Sequence, residues 1–90
     1  TSVSDHFISR VEQIATRNKS KISEQIKSNR EISHLINKLK MEGLDAREKE
    51  LLKIKLIAVL NAIPSFVIIA LPGKFLSLPV LLRILQNEIN

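Results

Sequence analysis

The sequence predicts an all-α membrane protein. A basic amphipathic helical arm covers residues 1–43, and residues 44–90 form a proline-broken transmembrane helix, one span with room for a second short membrane helix. Three observations predict it. Charge is segregated, with 12 of the 14 Lys and Arg and 8 of the 9 Asp and Glu falling in residues 1–55. From Leu56 to Leu82 the chain runs 27 residues with the single charge Lys74. A chain of 90 residues has little other apolar surface with which to cover such a stretch.

The arm reads as helix by its spacing. Phe7, Ile8, Val11, Ile14 and Ala15 fall on one helical face, and Ser2 followed by Asp5 is a weak start signal. The polar run from Thr16 to Lys21 reads as a short loop or one exposed turn. The stripe resumes with Ile22, Ile26, Ile32, Leu35, Ile36 and Leu39, spaced at about 3.6 residues. Lys27, Arg30, Glu31 and Lys38 take the opposite face. Such a helix has one apolar side and no partner within its own segment. Its six apolar residues are therefore expected to bind a partner: another helix, a membrane surface or a neighbouring protein. The break at Asn29 argues against a free coiled coil.

Met41-Glu42-Gly43 ends that helix, with Gly43 suited to a left-handed cap. Asp45 and Glu48 read as a capping pair that starts the next helix, with acids favourable at its positive end. This helix runs through Arg47, Leu51, Leu52 and Lys55 into the apolar stretch. The uncharged run from Leu56 to Leu71 spans about 24 Å, against a hydrocarbon core of about 30 Å. Alone it would also suit a buried core helix; the second run from Phe75 to Leu82 extends it. Pro64, Pro72 and Pro79 each remove an amide donor. With Gly73 they are the expected kink residues of the span, Pro72-Gly73 being the stop of its first helix, and the freed carbonyls call for protein neighbours. Lys53, Lys55, Lys74 and Arg83 are expected to meet lipid head groups.

Several chemistries have no residues to carry them. Without cysteine there is no disulfide and no Cys-based metal site. His6 and His34, 28 residues apart, read as solvated side chains. No nucleophile–base pair, glycine-rich phosphate loop or carboxylate pair in an apolar setting is present, so neither catalysis nor a cofactor is expected. Glu24, Glu31 and Glu48 sit among Lys and Arg as a solvated face. The net charge of +5 points to anionic surfaces. The interleaving of acids and the single aromatic of the arm, Phe7, argue for anionic lipids or an acidic protein neighbour rather than nucleic acid. Residue 1 is Thr, which suits a processed mature protein or a fragment, and no signal or transit peptide is visible.

The proline spacing is the most informative motif. Leu44-Asp45-Ala46-Arg47-Glu48, then Ile63-Pro64, Leu71-Pro72 and Leu78-Pro79-Val80, followed by Arg83 and Asn87, resembles the membrane region of the LETM family. Those are mitochondrial inner-membrane proteins named for a leucine zipper, an EF-hand and a transmembrane segment. The resemblance covers about residues 44–87. Two positions depart from it: Phe75 stands where the family usually carries an acid, and Gln86 where it tends to carry another proline. The family's large soluble domain, its EF-hand and its zipper have no counterpart here, and no calcium-loop motif occurs.

The resemblance implies a mitochondrial inner-membrane location; a bacterial inner membrane is the alternative. It leads to the expectation of a non-catalytic LETM-like accessory subunit of a larger complex, such as the respiratory chain or ATP synthase. Its partners would be other membrane-protein subunits and the bilayer, anionic lipids included. Cation/proton exchange, as the family implies, is one alternative. With Phe75 in place of the acid, only Asn61, Ser65 and Lys74 would be left to line a path. A ribosome-binding membrane adaptor is another. Basic residues on the amino side of the span favour a matrix-facing arm, whereas the resemblance implies the intermembrane space.

Overall fold

The arm's isoleucine stripe shares one core with Leu52, Leu56, Val59 and Leu60. In the computed structural model, which describes residues 3–64 and 77–86, the described helices are α1 (Val3–Arg17), α2 (Lys19–Ser28), α3 (Arg30–Met41), α4 (Ala46–Asn61) and α5 (Leu78–Ile84). The described residues contain no strand.

Local chemistry sets the breaks. At Asn18 the polar run interrupts the helix for one residue, and Asn18 Nδ2 donates to the Ile14 carbonyl at 2.9 Å. Asn29 serves two helices. Its N–H donates to the Ile26 carbonyl and closes α2, while its Oδ1 accepts from the Ile32 N–H at 3.1 Å and opens α3. This is a side-chain cap of the usual kind. Ser33 Oγ donates back to the Ile26 carbonyl at 3.2 Å, tying α3 to the end of α2. Gly43, at φ 85, takes the left-handed turn after α3, and its N–H donates to the Lys38 carbonyl at 3.0 Å. Asp45 then caps α4 with the reciprocal bonds of a capping box.

The core draws on both sides of Gly43. Val11 and Ala15 come from α1, Ile22 and Ile26 from α2, and Ile32, Leu35 and Ile36 from α3. Leu52, Leu56, Val59 and Leu60 come from α4, and Ile63, Leu81, Ile84 and Leu85 complete the cluster. Helix α4 lies against α2, α3 and α5, and α1 closes the bundle against α2 and α5. The radius of gyration is 12.6 Å, against about 12 Å for a compact 90-residue domain.

This packing overturns the transmembrane fold expected from the sequence. No helix among the described residues is long and apolar enough to cross a membrane. Helix α4 ends at Asn61 rather than running on to Leu71. The physical reason is one of supply. The span was inferred because the tail lacked apolar surface to cover it. For the described part of the tail, the side chains of Ile22, Ile26, Ile32, Leu35 and Ile36 supply part of that surface. Each fully buried Leu or Ile contributes about 1.5–3 kcal/mol relative to exposure.

Candidate functional site

Two ion pairs set α4 against α3. Glu48, in the first turn of α4, accepts from the Lys38 ammonium in the last turns of α3. Two helical turns further along, Lys55 Nζ stands 2.8 Å from Glu31 Oε2. The seven-residue steps from Glu31 to Lys38 and from Glu48 to Lys55 run in opposite directions, so the helices are antiparallel with two polar rungs about 10 Å apart. Glu48 makes three hydrogen bonds, to two partners. Its Oε2 faces Lys38, its Oε1 accepts from the Asp45 N–H at 3.1 Å, and its own N–H donates to Asp45 Oδ1 at 2.8 Å. The Lys38 hydrogen bond, helped by the Asp45 N–H, holds the Glu48 carboxyl below the usual range. The same hydrogen bond, with the neighbouring carboxylates Glu48, Glu42 and Asp45, raises the Lys38 ammonium.

With its inner side in the core and its flanks in ion pairs, α4 keeps an outward face. Arg47, Leu51, Ile54, Ala58 and Asn61 recur there at steps of three and four, and all are exposed. Leu51 is 42% and Ile54 55% accessible, large values for aliphatic side chains in mid-helix. Helix α4 is thus apolar on two opposite sides. Core burial explains Leu52, Leu56 and Val59; it does not explain Leu51 and Ile54. The sequence reading passed over this face, although one signal was there to find. Apolar residues at 51, 52, 54, 56, 57, 58, 59 and 60 are too many for one helical stripe.

The residues singled out from the sequence are dispersed. Ile22, Ile26, Ile32, Leu35 and Ile36, expected to bind a partner, are buried in the chain's own core, with Leu39 packed against it. Of the partners expected, another helix is the one found: these residues share the core with α4 of the same chain. Pro64 lies three residues past the end of α4 and kinks no described helix. Pro79 stands at the start of α5, where a missing amide hydrogen costs nothing. Pro72, Gly73 and Lys74 lie outside the described residues.

The other expected head-group cations face carboxylates of the same chain. Lys55 meets Glu31, Lys53 Nζ is 3.8 Å from Glu50 Oε1, and Arg83 Nε is 3.6 Å from Glu12 Oε1. Asn61, named as a path-lining group, is exposed at the end of α4; Ser65 lies outside the described residues. Among the described residues no group of three or more His, Asp or Glu could hold a metal ion. What the described residues present is an exposed apolar face on α4. No protein-family model, curated protein or solved structure matches this chain.

Proposed function

We propose that this chain is a non-catalytic accessory module that docks on a larger protein assembly through the outward face of α4. The observation that carries the reading is the exposure of Leu51 and Ile54 on a helix whose opposite side already fills the core. Ala58 on the same face lets a partner helix approach closely. Arg47 and Glu50 at its entrance offer a partner one charge of each sign to set direction.

The resemblance of residues 44–87 to the LETM family supports an assembly at the mitochondrial inner membrane, with this chain as a surface-held subunit. Ion exchange has less support. Asn61 is on an outer surface, and Phe75 replaces the acid that such chemistry would use.

Native electrophoresis of gently solubilised membranes tests the proposal. The chain is expected in a high-mass band. A doubly substituted Leu51→Glu/Ile54→Glu chain is expected to leave that band while keeping its helical circular dichroism. Migration of the wild-type chain solely at its own 10.2 kDa would refute the proposal.

A further inference from the structure

The net charge of +5 is unevenly spread over the bundle. Residues 17–30, from the end of α1 through α2 to the start of α3, hold five cations, Arg17, Lys19, Lys21, Lys27 and Arg30, against the single carboxylate Glu24. That corner carries +4 of the chain's +5. All five cations are exposed, and none of them is in an ion pair among the described residues.

The ion pairs explain how the imbalance survives folding. The carboxylates flanking the corner in sequence, Glu12 and Glu31, face Arg83 and Lys55. Acids that would otherwise dilute the corner are engaged by cations of the apolar half. Helix α2 is about 15 Å long. Neighbouring cations along it therefore lie within about one Debye length, 8 Å at physiological salt, and their fields add.

We propose that this corner is a docking surface for an anionic phospholipid bilayer, met peripherally from the aqueous side. Clusters of four to eight Lys and Arg on a surface helix bind anionic lipid at about 1 kcal/mol per cation. Ser20, exposed on α2, adds a hydroxyl donor for phosphate oxygens. Nucleic acid fits less well. The surface has no aromatic on which a base could stack, since Phe7, the one aromatic among the described residues, is packed against the core. Asn18 and Asn29, amides that could reach base edges, are engaged in bonds to the backbone. The assignment does not depend on the reading of α4.

Co-sedimentation of the full chain with phosphatidylcholine vesicles, with and without phosphatidylserine, tests it. Binding is expected to the phosphatidylserine vesicles alone and to fall as salt is raised. Lys19→Gln/Lys21→Gln/Lys27→Gln is expected to weaken binding on the order of 100-fold, about fivefold per lysine. Arg10→Gln/Lys40→Gln/Lys49→Gln makes the same charge change at exposed positions elsewhere and is expected to cost less than about fivefold. Circular dichroism verifies that both variants fold. Equal binding to neutral vesicles, or equal loss in the two variants, would overturn the proposal. So would tighter binding to a single-stranded or duplex oligonucleotide than to phosphatidylserine vesicles at the same salt.

Discussion

Lys38 and Glu48 join the end of α3 to the beginning of α4 through the carboxylate that completes the α4 capping box. One side chain therefore serves two purposes, helix initiation and helix pairing. The pair's pH dependence follows from the direction of each shift. Glu48 is held low, so its contribution is complete above the ordinary carboxylate range and is lost as pH falls through its lowered pKa. Lys38 is held high, so its contribution is complete below the ordinary lysine range and is lost as pH rises through its raised pKa. Thermal melts over a pH series should show Glu48→Gln less stable than wild type at neutral pH, with the gap closing in acid. A gap that stays constant into acid would rule out the ionic role.

Core and surface positions on α4 should respond in opposite ways. Leu56 is completely buried, and Leu56→Ala is expected to cost about 2–5 kcal/mol. Ile54→Ala, two residues earlier and more than half exposed, should change stability by no more than about 0.5 kcal/mol. Urea unfolding of the two variants measures the contrast directly.

The arm supplies a sharper discriminator. Ile22 and Ile32 are as buried as Leu56, so each change to Ala should cost about 2–5 kcal/mol in the isolated chain. Were these residues docked on a foreign subunit instead, the isolated chain would lose nothing. Detergent-free thermal melts separate the two outcomes.

Gly43 has open space where a Cβ would go, with no atom within 4 Å. Gly43→Ala should therefore cost only the left-handed backbone penalty, about 1–2 kcal/mol. For a domain of this size that is a fall in Tm of roughly 4–8 °C per kcal/mol. Asn29→Ala should cost about 0.5–2 kcal/mol through loss of the α3 cap. Calorimetry of both variants tests these values.

Much of the local structure was legible in the sequence. Gly43 and the Asp45–Glu48 pair mark the α3–α4 turn with no knowledge of packing, because turn and cap chemistry act within a few residues. The isoleucine stripe was likewise legible as a helix face. What covers that face was not. Helical spacing says which side of a helix is apolar and nothing about what meets it. The exposed apolar face of α4 was hidden for a related reason. Leu51 and Leu52 are identical in kind and adjacent in sequence, and only the packing of α4 against α2, α3 and α5 decides that one is exposed and the other enclosed.

A helix that is greasy on two sides has two ways to face a core. Turned about its own axis by roughly half a revolution, α4 would offer Leu51, Ile54 and Ala58 inward in place of Leu52, Leu56 and Val59. Apolar burial alone discriminates weakly between these settings. The Lys38–Glu48 and Glu31–Lys55 contacts do not survive the turn. Their value is thus selective more than energetic: they choose one azimuth for α4 and thereby decide which greasy side remains on offer.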